Sequence, residues 1–449
     1  MGVRMPGSMS GLFDPKIVDQ LIEIEKLPIE TAKRRKEVVV QEKEEVDKLQ
    51  VLLNKLDTAL NGLKSKADFY KMKVESSHPD IIDGTVNGVS ITGSYEFEVR
   101  GVARAEKELT YGFPDKNETS VGFGYMLVER EDREPVEITV EPGSTLQDVA
   151  NAINDQEAGV KAMVINTKYK PDPYRLLVVS EKSGKEANIY IDEDTTYLEF
   201  KEQVTGRNLD VLFEDVPITD DDNNLEDLVD GVVFQIKRSE PGTRVQVGIV
   251  NDVDKTLEGI KEFVAKYNEV SEFVHKQVQV DPKTKKAGIL AADSGVRSVM
   301  RQLQSQFGTN ITSAGKYHSL ADIGITTDPK TGNLAMNEGK VRGALAEDYD
   351  GVANIFVRGT KTEGIASRLA EKLKTFRDPA SGVIKSRLRG LDHIIKDQDE
   401  DIQRKEMIAE KKEEGVRRRF TALEGQLAAL KGQGDHLSQA LGGNTQKGS

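Results

Sequence analysis

The chain has 449 residues, too many for one compact core, and roughly two to four domains are expected. Its formal charge of −13 excludes a general nucleic-acid binder, which needs a basic face for phosphate contacts. With 31% charged, 37% hydrophobic and 6% aromatic residues and no tryptophan or cysteine, it has a thin core, and disulfides, thiolate metal sites and thiol nucleophiles are excluded.

Ile17, Val18, Leu21, Ile22 and Ile24 form an amphipathic stretch, read as a short helix over 14–26 that Leu27-Pro28 ends or restarts. From about Thr31 the chain is highly charged and rich in helix formers, and it runs into a seam of apolar residues in steps of three and four. Val46, Leu49, Leu53, Leu56, Leu60 and Leu63 carry this seam, followed by Ala67 and Tyr70. Such a stripe wants a partner helix.

After His78-Pro79 the period becomes two. Val86-Asn87-Gly88-Val89 reads as a hairpin turn, and Tyr95, Phe97 and Val99 alternate with charged residues as a half-buried strand does. The glycine-rich GFGYML at 122–127 reads as a flexible turn, because it lacks the third glycine and the lysine of a phosphate loop. Pro142-Gly143-Ser144-Thr145 offers a turn and an N-cap before the helical spacing of Leu146, Val149, Ala150 and Ile153. Strands follow in AMVIN and RLLVVS, then at Val211, Phe213 and Val216, and in GVVFQIKR and RVQVGIV. Between the last two groups lies ITDDDNNLEDLVDG, read as a solvated acidic loop. A calcium loop would need glycine at its sixth position and glutamate at its twelfth, where Leu225 and Gly231 stand.

Helical spacing returns at Leu257, Ile260, Phe263, Val264, Tyr267, Val270, Phe273 and Val274. VDPKTKKAG at 280–288 and TDPKTGN at 327–333 are related tight turns, the second read as a hairpin between GITT and LAM. In the final helix Leu388, Ile395, Ile402, Ala409, Val416, Leu423, Leu430 and Leu437 recur every seventh residue. The second row of that heptad is interrupted by Asp399, Glu406 and Glu413 before Phe420, Leu427 and Leu441, so only the last three heptads are expected to zip well. Arg417, Arg418 and Arg419 read as a solvated face beside Glu413 and Glu414.

The reading of the residues is therefore an α+β multidomain rod. A coiled-coil-like helical leg comes from both chain ends, and a β-rich head of two small discontinuous domains is inserted between them. Residues 1–45 and 405–449 are terminal helical segments, expected to be flexible in the free protein; 46–75 and 253–404 form the leg. Residues 76–110 and 205–252 form one head domain and 111–204 the outer one. The five histidines stand apart from one another in sequence, and no nucleophile sits with its base, so no catalytic residue, cofactor or metal is expected. No run approaches about eighteen apolar residues, so no membrane span is expected. The opening MGVRMPGSMSG lacks the apolar core of a cleaved secretory signal.

Several segments together resemble the flagellar hook-associated protein 2 family. They are SGLFDPKIVDQLIEIEKLPIE near the start, TLQDVANAINDQEAGVKAMVIN in the middle, and then FVAKYNEVSEFV, GILAADSGVRSVMRQL, SLADIGITTDPKTGNLAMNE, GVANIFV and FTALEGQLAALKGQGDHL, in the family's order across nearly residues 10–441. Two departures stand out: the acidic DDDNNLED replaces a simple turn, and Gly432 and Gly434 stand where polar helix formers are commoner, so the last turns are expected to fray.

The resemblance implies a non-enzymatic cap at the distal tip of the bacterial flagellar filament, extracellular and exported without a cleaved signal peptide. It implies a homo-oligomeric ring that promotes folding and insertion of flagellin, with other hook-associated proteins and an export chaperone as partners. Two alternatives stay open: another axial protein, such as a hook-filament junction protein or a flagellin, and a tip adhesin for glycans on a host or prey surface. Residues expected to carry assembly are the leg seam of Val46, Leu49, Leu53, Leu56, Leu60 and Leu63, and the terminal helices through Ile17, Val18 and Leu21 and through Val416, Phe420, Leu423, Leu427 and Leu430.

Overall fold

The computed structural model describes residues 15–88, 90–279, 287–308, 311, 316–357 and 363–442. In chain order, α1 (Pro15–Asn61) and the single turn α2 (Lys66–Phe69) precede β1 (Met72–Ser76), β2 (Ile82–Val86), β3 (Gly93–Gly101), β4 (Lys107–Thr110), β5 (Gly122–Arg130) and β6 (Arg133–Val140). Then come α3 (Leu146–Asp155), β7 (Val160–Asn166), β8 (Tyr174–Ser180), β9 (Ile189–Thr196), β10 (Phe200–Val204), β11 (Leu209–Phe213), β12 (Val216–Asp220), β13 (Asn224–Val229), β14 (Val232–Ile236) and β15 (Arg244–Asn251). The chain ends with α4 (Val253–Val278), α5 (Ser294–Gln304), β16 (Ile325–Thr327), β17 (Leu334–Met336), α6 (Glu338–Glu347), α7 (Tyr349–Phe356), α8 (Ile365–Arg377) and α9 (Val383–Gly442). This is the α+β arrangement of terminal helices around a β-rich middle that the sequence implies.

The chain forms two compact units, Lys66–Thr256 and the combination of Met1–Ser65 with Leu257–Ser449. Within the β-rich unit all strand pairs are antiparallel, and two cores form. In the first, the sheet β1-β15-β3-β11-β12 and the sheet β13-β14-β2 bury Phe97, Val99, Val245, Val247 and Phe234, with the Phe97 and Phe234 rings 4.9 Å apart. The hairpin expected at 86–89 is absent from this pairing. β2 pairs with β14 and β3 with β15, so the Asn-Gly step carries the chain between two sheets. The acidic stretch is a loop only at 221–223: its flanks lie in β12, which pairs with β11, and in β13, which pairs with β14 in the other sheet and buries Leu225. Leu225, with Leu228 and Val229 half-buried after it, turns to the core while Glu226 and Asp227 stay in solvent.

In the second core the sheet β6-β5-β9, the sheet β10-β4-β8-β7 and α3 enclose Met126, Val128, Ile138, Leu176, Val178 and Ile153. Thr145 caps α3 through a capping box, its hydroxyl accepting from the Asp148 N–H while the Asp148 carboxylate accepts from the Thr145 N–H. GFGYML is not a turn but the start of β5. Its glycines serve a register shift against β9 between Gly122 and Tyr125, where Gly122 and Gly124 have φ of +91° and +145°. The chain crosses from the first core to the second near Arg104 and returns near Arg207. There the two residues pair as an antiparallel bridge, and Arg207 Nε donates to the Val102 carbonyl at 3.1 Å.

In the helical unit α1 continues through Pro28 instead of stopping there. The proline is exposed, so water can serve the carbonyl one turn back, while Ile29 and Ala32 pack with Ile402 and Ala409 of α9. The hairpin β16-β17 forms around TDPKTGN, with Ile325 opposite Met336. It is tied to α4 by Asn268, whose side chain accepts from the Leu334 N–H at 2.7 Å and donates to the Leu334 carbonyl at 2.9 Å. Tyr267 of α4 is fully buried and donates to the Gly332 carbonyl at 3.0 Å; burial pushes its phenol well above the ordinary value. The related turn at 280–288 lies largely outside the described residues.

Candidate functional site: the paired terminal helices

α1 and α9 lie antiparallel, and the nature of their contact changes along their length. At the inner end Val46, Leu49, Leu53, Leu56 and Leu60 of α1, and Leu63 in the turn after it, are at most 1% exposed, and α1 packs against α8 and α9. Polar bonds fix the register around this seam. Arg377 of α8 donates to Asn54 Oδ1 at 2.8 Å and Asp57 Oδ2 at 2.6 Å, and Gln277 of α4 donates to Glu45 Oε2 at 2.6 Å. Arg387 at the start of α9 joins three elements: Nε donates to Asp293 Oδ2 at 2.6 Å and Nη2 to Glu42 Oε2 at 3.0 Å. The other oxygen of Asp293 caps α5 by accepting from the Gly295 and Val296 N–H groups.

Farther out, the apolar content falls to the small cluster of Ile29, Ala32, Ile402 and Ala409. Charges take over. Lys43 faces Asp392 at 3.5 Å, Lys36 faces Asp399 at 2.6 Å, Lys33 faces Glu406 at 3.0 Å and Lys26 faces Glu413 at 3.6 Å. Lys412 reaches back to Glu25 at 2.6 Å, so the ladder is crossed at its outer rung. Asp47 and then Asp392 raise the Lys43 ammonium above its ordinary value; Arg417 and Lys26 hold the Glu413 carboxyl below its own. The acidic row of α9, which by sequence interrupts the heptad, thus meets a lysine row on α1 and forms an electrostatic register. The signal was present: the acids at 392, 399, 406 and 413 recur every seven residues, as do Lys26 with Lys33 and Lys36 with Lys43, but the match emerges only when the two helices are written antiparallel.

Beyond the ladder the inward face of α9 passes through half-buried Val416, Phe420 and Leu427 and buried Glu424, while Leu423, Leu430 and Leu437 are 48%, 62% and 62% exposed. A straight helix turns about 20° per heptad away from an exact seven-residue repeat, which carries that row off the seam. The last three heptads therefore do not zip onto α1. On α1, Val18 is buried and Leu21 is 44% exposed, followed by exposed Ile24 and Leu27; Ile17 is helical, and its side chain lies outside the described residues. Both helices thus carry an apolar row that is left exposed among the described residues. Among the described residues no three His, Asp or Glu side chains gather where a metal could sit, and no helix is long and apolar enough to cross a membrane.

Comparison with known proteins places these elements. The profile described as flagellar hook-associated protein 2 C-terminus matches residues 206–432, the corresponding N-terminus profile matches residues 10–106, and a flagellin hook IN motif matches residues 128–182. The flagellar hook-associated protein 2 of Escherichia coli K12 is 24% identical over 464 residues, covering 98% of each chain. The B-type flagellar hook-associated protein 2 of Pseudomonas aeruginosa is 26% identical over 373 residues, covering 76% of this chain and 77% of that one. Among solved structures, the D1-D2-D3 domains of the flagellar cap protein FliD from Escherichia coli superpose with a TM-score of 0.60 at 25% identity, covering 78% of this chain and 99% of that chain.

Proposed function

The chain belongs to the flagellar hook-associated protein 2 family of flagellar cap proteins, and from that premise we infer that it works as a non-enzymatic structural cap at the distal tip of the filament. In this reading several copies form a ring, and flagellin subunits leaving the channel fold and insert beneath it. The partners are flagellin, neighbouring hook-associated proteins and an export chaperone.

The observation that carries the reading is the pair of uncovered apolar rows at the outer end of α1 and α9, namely Leu21, Ile24 and Leu27 with Leu423, Leu430 and Leu437. Helices with such rows gain stability when a partner helix covers them. A weak, charge-registered pairing lets that docking form and release, as a cap must when it advances by one subunit; coupled ordering trades affinity for reversibility. Val416, Phe420 and Leu427, half-buried on the inward face of the same helix, border this row.

A strain without the protein tests this. It is expected to release unpolymerised flagellin into the medium and to regain filaments on complementation. The Leu423→Asp, Leu430→Asp variant is expected to fail in complementation while melting as the parent does. Full-length filaments in the deletion strain would overturn the reading.

A further inference from the structure

The two sheets of the second head core turn outward faces of opposite character. On β6-β5-β9 the outward side chains include Phe123 and Tyr125, 60% and 47% exposed, with Leu127 on the same strand and Tyr190 opposite Glu129, 65% exposed. Among the described side chains the charges on that face are Glu129, Glu137 opposite Leu127, and Asp192 on the other side of Leu127. All three are acidic.

On β10-β4-β8-β7 the register places Lys107 opposite Val179, Lys161 opposite the same valine from the other side, Arg175 opposite Ile165 and Lys201 opposite Leu109. These four bases surround an aliphatic centre of Met163, 48% exposed, and half-buried Leu177, Val179, Leu109 and Ile165. No carboxylate stands at the outward strand positions of this face, although Lys161 reaches Glu181 beyond the strand end at 3.0 Å. Arg175 also donates to the Thr110 carbonyl at 3.2 Å.

Because both sheets bury their inner faces in one core, their outer faces point away from it in different directions. One copy cannot close the two faces on each other. A second copy can. We propose that the aromatic, acidic face of β6-β5-β9 in one copy docks on the aliphatic, basic face of β10-β4-β8-β7 in the next. Rings and methylenes supply the dry centre, and the three carboxylates meet the four bases at the rim. The contact is heterologous, so it leaves one face of each kind free at either end of a pair and grows by addition until rotation closes a ring. This inference rests on the cap reading above and gives its lateral contact a location.

The experiment uses full-length protein. Since the chain has no cysteine, a pair introduced as Tyr125→Cys and Met163→Cys reports this contact alone. Mild oxidation is expected to give a ladder of covalent species, and either single variant none. Lys107→Glu with Lys201→Glu, and separately Glu129→Lys with Glu137→Lys, are each expected to weaken self-association in sedimentation by about tenfold or more at low salt. An equimolar mixture of the two variants is expected to assemble again, because each altered face then meets its complement. Dimers from a single cysteine variant, or unchanged assembly in both charge variants, would overturn the face assignment and leave the cap reading standing. A wild-type chain that stays monomeric at all concentrations would overturn the assignment too, and flagellin release from the deletion strain then decides the cap reading separately.

Discussion

The inner and outer halves of the α1–α9 pair are built from the same two helices, and they are held in different ways. Between Val46 and Leu63 the contact is a buried leucine seam locked by Arg377, Gln277 and Arg387. Between Lys26 and Lys43 it is a ladder of half-exposed ion pairs over the four apolar residues Ile29, Ala32, Ile402 and Ala409. Surface ion pairs contribute little each, about 0–1 kcal/mol, whereas a fully buried leucine contributes several times that. The ladder therefore fixes register and direction, and the seam fixes stability. One continuous helix can be anchored at one end and available for exchange at the other.

The largest break in this contrast comes from the seam. Leu56→Ala is expected to cost about 2–5 kcal/mol in urea unfolding, through lost burial and a residual cavity. Ile29→Ala, in the satellite cluster, is expected to leave the main transition nearly in place; equal losses at the two sites would erase the distinction. Next is Arg387→Ala, which leaves the Asp293 and Glu42 carboxylates without this donor, at about 1–3 kcal/mol. Smaller again is Lys33→Glu, worth about 0.2–1 kcal/mol. It should be rescued by Glu406→Lys in the same chain, and the coupling should fade as salt is raised from low ionic strength.

The smallest effect is one of pH. The Glu413 carboxyl is held below its ordinary value by Arg417 and Lys26, so the stability it contributes is complete above about pH 4.5 and is lost as pH falls through the lowered folded value. Lys43 acts in the opposite sense. Its contribution is complete below its ordinary value near 10.5 and is lost as pH rises through the raised folded value. Acid should thus loosen the outer pair, read by helix-end exchange or fluorescence labels at 21 and 423, before it reaches the seam.

How much of this was legible in the sequence depends on whether a signal was local. The seam at 46–63, the N-cap before α3 and the TDPKTGN hairpin are each written within a few residues; in the structure the seam residues are buried, Thr145 caps α3 and β16 pairs with β17. Pro28 misleads because its effect depends on which way the ring faces, and here it faces water. GFGYML misleads because its glycines draw attention from the alternation of Met126 and Val128, which face the core. The acidic stretch misleads because charge on one face of β13 hides the buried Leu225 on the other. The lysine ladder and the two complementary head faces are relations between segments far apart in the chain, invisible until the fold brings them together.

Hydrogen exchange along α1 in the free full-length protein, followed by mass spectrometry, tests the central contrast most directly. Amides from Val46 to Leu60 should exchange only with global unfolding of the helical unit, and those from Val18 to Ala32 orders of magnitude faster, slowing when the protein is added to filament ends. Uniform protection from Val18 to Leu60 in the free chain would contradict the account, because the outer pair would then be as firmly held as the seam.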